Sequence, residues 1–392
     1  MKSSSGLPIL AVAFPAFLSL LGSGVVVPLL PLYGRSFGSE PWLIAVLFSA
    51  YAIGAIFGEP YWGRLSDQIG RKRVLILTLS MSAVCWLALS FSGSVLLSVF
   101  IRVVTGFVAG NNSVLQGYVS DRTSGEQRLK AISILSATSH FGFMAGPVLG
   151  GLLVGDPHSP LGYKTVFLTC TVLAILAAFL MAIILPNENN ISQSKSKKMI
   201  WRAIPKETQS LIGLTFLYGT IASSIEVLFS LWANHEFGWG AKEIGLFFAF
   251  SALVAAITQL IIIPLWMSRI SFKTGIIIGF AGVAFSTLGQ LIANDVALAV
   301  SLMAFTSLAR AISWAFISTR IATITENSDR GAVLGQNASA FAIARVIGPI
   351  LAGLLATATG SLNPFILPTI LLAAAAMVVG RVVRMKPDGD TR

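Results

Sequence analysis

Apolar runs of roughly 20 residues recur from end to end of the chain, separated by short polar breaks. Each run is long enough to cross a ~30 Å hydrocarbon core as a helix. The pattern predicts twelve spans, at about 7–33, 41–62, 74–92, 95–118, 131–155, 165–185, 209–236, 242–267, 274–293, 296–324, 332–360 and 365–384. Lys2 followed by an apolar stretch mimics a signal peptide. The stretch runs well past a signal core and more spans follow it, so it is read as the first helix. Connections such as Gly93-Ser94 and Asn294-Asp295 leave room for a turn only. The exception is the polar, lysine-rich stretch that follows the sixth span. The predicted fold is therefore all-α and integral to the membrane. Twelve transmembrane helices form two pseudo-symmetric six-helix halves, 1–186 and 209–392, joined by a cytoplasmic linker at 187–208.

Composition strengthens this reading. Apolar residues make up 55% of the chain and charged residues 11%, against about 25% charged in a soluble domain. Mean hydropathy is +0.81. Cys85 and Cys170 both lie inside apolar runs and read as small buried residues, not as a disulfide or metal site. The three histidines show no ligand spacing, and there is no zinc pattern, phosphate loop or nucleophile elbow. An enzyme is not predicted, nor a cofactor.

The net charge of +11 belongs to the membrane boundary. Of 27 lysines and arginines, Arg35, Lys164 and Lys242 fall on one side of the predicted spans, and Arg102, Arg310 and Arg345 fall within them. The other 21 share the side of the N-terminus. That bias places both termini in the cytoplasm. The cations face anionic headgroups and form no single stripe, so the lipid bilayer is the expected partner and nucleic acid is not.

The halves repeat one another. Residues 127–153 align without gaps on 329–355, with seven identities that include Arg128/Arg330, Gly146/Gly348, Pro147/Pro349 and Gly151/Gly353. Parallel repeats of this kind are a transporter architecture.

Between the second and third spans runs Gly63-Arg64-Leu65-Ser66-Asp67-Gln68-Ile69-Gly70-Arg71-Lys72-Arg73. Gly63 and Gly70 permit a tight turn. Asp67 is an acceptor near the start of the third helix, within reach of helix N–H groups and Arg71. An ordinary positive-inside loop would also be charged. This one resembles the signature loop of the major facilitator superfamily, G-x-L-[SA]-D-x-x-G-R-[KR], at every fixed position. The resemblance implies a gating latch made by Gly63, Asp67, Gly70, Arg71 and Lys72. The second-half counterpart, 264–273, keeps Pro264 and Trp266 but lacks the aspartate. Gly142, Gly146 and Gly150 recur at intervals of four and lie on one helix face, where small residues let helices approach closely. With Pro147 and Gly151 they also match G-x-x-x-G-P-x-x-G-G, a fifth-helix motif of antiporters in that superfamily. Gly22 to Pro31 is similar to the first helix of its drug:proton antiporter subgroup, which includes tetracycline and multidrug exporters. Those exporters often place an acid in that helix; here it has none, and Glu59 stands at the end of the second span instead.

Charges within the spans mark the candidate site. Glu226 is the only acid in the middle of a predicted span. An ionised carboxylate there costs at least ~2.5–3.5 kcal/mol, so it either takes part in proton coupling or cargo binding, or is a structural acid neutralised by an arginine. Arg102, Arg310 and Arg345 must face water or a partner, and Arg102 or Arg310 is the expected partner of Glu226. The positive surplus suits a carboxylate or phosphate group on the cargo. Asn111, Asn112 and Gln116 make the fourth span polar. His140 is titratable, although a lone histidine is more often a satisfied packing residue. Trp314 and Phe141 are binding surface or plain packing. The substrate-binding set is then Arg102, Asn111, Asn112, Gln116, His140, Glu226, Arg310, Trp314 and Arg345, and the proton-coupling set Glu226, Arg102 and Arg310.

The leading expectation is a monomeric, proton-coupled exporter of small organic molecules in the cell inner (plasma) membrane. It works by alternating access, with protons as coupling ion and a small-molecule substrate as partner. A facilitator or importer of an anionic metabolite is the alternative, and a non-transporting membrane receptor or assembly subunit is the alternative of another class.

Overall fold

A computed structural model describes residues 9–109, 111–123, 125–154, 160–186, 205–267, 269–293, 295–325 and 330–384. All regular structure in them is helical: α1 (Ile9–Val26), α2 (Leu30–Ser36), α3 (Pro41–Ile69), α4 (Arg71–Ser90), α5 (Val95–Val108), α6 (Asn111–Arg122), α7 (Gly125–Val154), α8 (Pro160–Ile184), α9 (Lys206–Phe237), α10 (Ala241–Ile257), α11 (Ile263–Met267), α12 (Phe272–Gln290), α13 (Val296–Ile324), α14 (Arg330–Thr359) and α15 (Ile366–Arg384). Among the described residues, ten helical stretches are long and apolar enough to cross a membrane, and the bent pair α1–α2 makes eleven. In α15 the apolar stretch Ile366–Val382 is shorter. Large apolar side chains such as Phe57, Phe100 and Leu260 lie exposed on helix faces. Lipid covers such a surface; water does not tolerate it.

Local chemistry sets the helix ends. Pro28 and Pro31 lack N–H donors, and the first span breaks between Val26 and Leu30 with a 44° bend. Ser94, Ser271 and Asp295 cap α5, α12 and α13, each side chain accepting from the backbone N–H three residues on. The fourth span, predicted as one run over 95–118, is interrupted at Ala109. A π-helical turn, Thr258–Ile262, interrupts the eighth. The second span runs on to Ile69 instead of ending near 62. Of the predicted linker, 187–204 lies outside the described residues, and Lys206–Thr208 already belong to α9.

The chain groups into two compact units. Unit 1 is Met1–Ser196 with Gly238–Ala249; unit 2 is Lys197–Phe237 with Phe250–Arg392. The start of α10, placed by hydropathy in the second half, thus groups with unit 1. In unit 1, α1 packs on α7 and α8, α3 on α5, and α4 on α8. In unit 2, α9 packs on α14, α13 and α15, and α12 on α13. Leu211, Leu214, Ile276, Phe316, Ile317 and Ile321 form an apolar core there.

The α1–α7 seam is built on glycine. A Cβ on Gly142 would overlap the carbonyl of Phe17, one on Gly146 the backbone of Gly24 and Val25, and one on Gly24 the carbonyl of Phe143. Gly150 meets Val25 and Leu29. Gly151 faces elsewhere: a Cβ there would lie 2.6 Å from the Ala241 carbonyl oxygen. The α9–α14 seam of unit 2 repeats the device, with Gly348 against Thr220 and Ser223. The repeat read in the sequence is therefore a repeat of one helix contact.

Candidate transport and gating sites

In unit 2 a mid-helix ion pair joins α9 to α13. Arg310 Nη2 donates to Glu226 Oε1 at 3.2 Å, with the two side chains 20% and 29% exposed. An ionised group at this depth persists when it has an opposite charge beside it. Of the two arginines expected to answer Glu226, the packing of α9 on α13 selects Arg310. Three aromatic rings from three helices stand beside the pair. Tyr218 of α9, one helical turn pair below Glu226, lies 5.4 Å from Trp314 of α13 and 6.3 Å from Phe341 of α14; Trp314 and Phe341 are 5.1 Å apart. Arg310 Cζ is 6.0 Å from the Tyr218 ring. The Arg310 Nε is buried with no hydrogen-bond partner among the described residues. The arrangement offers flat apolar faces, a carboxylate and a spare guanidinium donor. Trp314 is the one member of the aromatic group singled out in the sequence; Tyr218 and Phe341 were not, since an aromatic in an apolar run carries no signal of its own. Arg345 is half-buried on α14.

Unit 1 holds Arg102, which is 6% exposed. Its Cζ lies 5.0 Å from the Tyr51 ring and 5.8 Å from that of Trp86. Those rings help line a cavity of about 150 Å³ together with Ser19, Ser23, Glu59 and Asn111. Asn111 also bonds Thr78. Arg102 therefore sits in an aromatic clamp of its own unit, whereas the sequence offered it to Glu226. Glu59, with ten residues of α3 still to follow, is a second acid inside a span. Gln116 is half-buried on α6, and the side chain of Asn112 lies outside the described residues. His140 is exposed, with Nδ1 2.6 Å from the Ser136 carbonyl oxygen, and Phe141 packs on Phe17.

The loop between α3 and α4 is tighter than predicted. Only Gly70 separates the helices, at φ +98°, a backbone region that side chains rarely adopt. Gly63 lies inside α3, and a Cβ there would meet open space, so the turn does not need it. Asp67 sits in the last turn of α3, not at the start of the next helix, and its carboxylate meets Arg71 at 2.9 Å. Arg71, the first residue of α4, also donates from Nε to Asp121 at the end of α6 and from Nη1 to Ser66 Oγ at 3.1 Å. Lys72 is half-buried beside it. One guanidinium thus ties the ends of α3, α4 and α6. Asp121 was not singled out in the sequence, because an acid at the polar end of a span looks like any loop residue.

The family model described as Major Facilitator Superfamily matches residues 12–210 and again 211–392. The chain belongs to this superfamily. It is similar to Multidrug resistance protein 2 of Bacillus subtilis, 25% identical over 350 residues and 86% of each chain. It is also similar to the class B tetracycline resistance protein of Escherichia coli, 26% identical over 67% of each. The quinolone resistance protein NorA of Staphylococcus aureus is 25% identical, again over 67% of each chain. Among solved structures, a bacterial homolog of the human lysosomal transporter Spinster superposes with TM-score 0.82 at 13% identity and covers 98% of both chains. A nucleoside transporter superposes with TM-score 0.78 at 13% identity, over 96% of this chain. Those two likenesses show the fold. The protein is a multi-pass membrane transporter of the superfamily.

Proposed function

We propose that this transporter is a proton-coupled exporter of small organic molecules, and that Glu226 is its coupling carboxylate. The observation that carries the reading is the mid-helix pair Glu226–Arg310, set beside the aromatic group Tyr218, Trp314 and Phe341. Protonating Glu226 removes one charge of the pair and frees Arg310 to bond elsewhere. Deprotonation restores the attraction, so proton and cargo compete for one arginine. The energy is adequate: one charge moved through 100 mV is worth about 2.3 kcal/mol. The names of the multidrug, tetracycline and quinolone resistance proteins support export of such molecules. The aromatic faces and the spare donor of Arg310 favour a planar cargo that carries an oxygen acceptor.

On this reading the protein works as a monomer in the inner membrane with both termini cytoplasmic, and needs protons but no cofactor. The test is flux in proteoliposomes across a panel of cationic and anionic compounds, with and without a pH gradient. Glu226→Gln is expected to abolish uphill accumulation and to keep downhill exchange, because the amide mimics the protonated acid. Uphill transport that survives Glu226→Gln removes Glu226 from the role. Wild-type flux indifferent to the gradient favours a facilitator.

A further inference from the structure

The loop of the second half, 264–273, has no acidic residue. The helix ends around it are nonetheless fastened. Arg320, one turn before the end of α13, reaches Glu207 Oε1 with Nη2 at 2.7 Å and with Nε at 2.8 Å. Glu207 is the second residue of α9. An acid is favoured in the first turn of a helix, so Glu207 sits where its own helix stabilises it. Arg320 Cζ also lies 5.7 Å from the ring of Phe272, the first residue of α12. That ring leans edge-on against Phe316, and both join the apolar core of unit 2. The paired side chains are only 22% and 17% exposed, unlike a loose surface pair.

We propose that Glu207–Arg320 is the latch of the second half. The logic of the first is kept and its polarity reversed. Arg71 opens α4 and grips acids at the ends of α3 and α6. In unit 2 the residue that opens α12 is a phenylalanine, and the arginine comes instead from the end of α13 and grips an acid at the start of α9. Each unit thereby ties three helix ends with one guanidinium. Arg71 and Arg320 both belong to the cytoplasmic share of positive charge read in the sequence. The pair holds the cytoplasmic ends of α9 and α13 together in one state of the cycle and parts in the other. Both are positioning residues, and neither is needed to bind cargo. The inference rests on the transporter family and not on proton coupling.

Thr208, beside Glu207, is buried, and the two native cysteines, Cys85 and Cys170, are buried too. Thr208→Cys is therefore a reporter for a membrane-impermeant maleimide applied to inside-out vesicles. Glu207→Gln or Arg320→Gln in that background is expected to speed labelling about tenfold, and the double variant no further, because one broken pair opens the latch. Flux of tetracycline, the probe used, is expected to lose kcat while KM stays, in protein whose melting temperature in detergent stays close to that of the parent. A purely structural pair would lower the amount of folded protein and leave kcat per folded molecule alone. Unchanged labelling in both single variants overturns the proposal, as do single effects that multiply in the double. If the glutamine variants do not fold, Arg320→Lys decides: it keeps the charge but loses the two-nitrogen grip. Intermediate labelling supports the latch and wild-type labelling overturns it. Labelling needs no cargo, so failure to carry tetracycline counts against the cargo reading and not against the latch.

Discussion

Gly146→Ala is the smallest change that tests how α1 and α7 are held. An ideal Cβ on Gly146 falls 2.5 Å from the carbonyl carbon of Gly24 and 2.7 Å from its Cα, where ordinary contact begins at 3.4 Å. The obstacle is backbone, the Val25 nitrogen being nearer still, and it cannot rotate away, so α1 must retreat by about 1 Å along part of its length. Retreat thins the contacts of Gly142 and Gly150 on the same face, and overpacking of this kind costs about 1–3 kcal/mol. Against that, alanine is favoured over glycine inside a helix by roughly 0.5–1 kcal/mol. The control is Gly213→Ala in α9, where a Cβ meets open space and only the favourable part remains. Thermal unfolding of both variants in one detergent is the assay. Gly146→Ala is expected to melt below the parent and Gly213→Ala at or above it, with Gly146→Leu failing to assemble. A Gly146→Ala protein as stable and as active as the parent would refute the backbone-contact argument outright.

Gly70→Ala is expected to cost about 1–3 kcal/mol, because φ +98° with ψ 140° is a conformation that only glycine holds freely; reduced stability and flux check it. Asp67→Asn leaves folding nearly intact, since an i,i+4 pair with a 40% exposed acid contributes about 0.3–0.5 kcal/mol, yet lowers flux by loosening Arg71. Asp121→Asn is expected to do the same and the double variant to lose more, and normal flux from correctly inserted double variant would sink the latch reading. Arg310→Gln strands Glu226 among apolar helices, at a cost below the ~3–5 kcal/mol of a fully buried pair; Glu226→Gln/Arg310→Gln should melt above the Arg310→Gln single, and a lower melt would deny the pairing. Trp314→Ala is expected to raise KM for an aromatic cargo up to about tenfold, the loss of one ring–ring contact of ~0.5–1.5 kcal/mol, and an unchanged KM removes the aromatic group from the binding face.

Hydropathy reads where lipid ends, not where a helix ends. That is why the runs locate every helix, yet α3 outlasts its predicted span by a full turn and more, through Arg64 and Asp67 to Gly70. Glu59, terminal to its predicted span, accordingly stands ten residues before the end of α3. The break in the first span was written in Pro28 and Pro31, whereas the break at Ala109 has no proline to announce it. Glu226 was legible because an acid in an apolar run has no other explanation. Its partner was not, because Arg102 and Arg310 had an equal claim and only the packing of α9 on α13 chooses between them. Asp121 and Glu207 were missed for the opposite reason: they sit at polar helix ends, where charge is ordinary until its partner is seen. A search for opposite charges at the ends of neighbouring spans, Arg71 with Asp121 and Arg320 with Glu207, would have raised both.

The two units keep one feature alike and let another diverge, and the physics of each feature explains why. The glycine seam has no substitute: a side chain at Gly146 or Gly348 collides with backbone, so the duplicated helix contact stays as it was. A charge clamp has many substitutes, since any arginine within reach of any carboxylate at the helix ends will serve. Unit 1 draws its arginine from the start of α4 and unit 2 from the end of α13. The charges in mid-span follow the same rule. Arg102 is held by the faces of Tyr51 and Trp86, and Arg310 by Glu226. Cation–π contact with Tyr51 and Trp86 does not depend on a proton, whereas the bond of Arg310 to a carboxylate can be switched by one. Exchanging the two devices separates their roles: Glu226→Phe should leave Arg310 held but deaf to a pH gradient, and accumulation that still followed the gradient would place the coupling outside unit 2's ion pair.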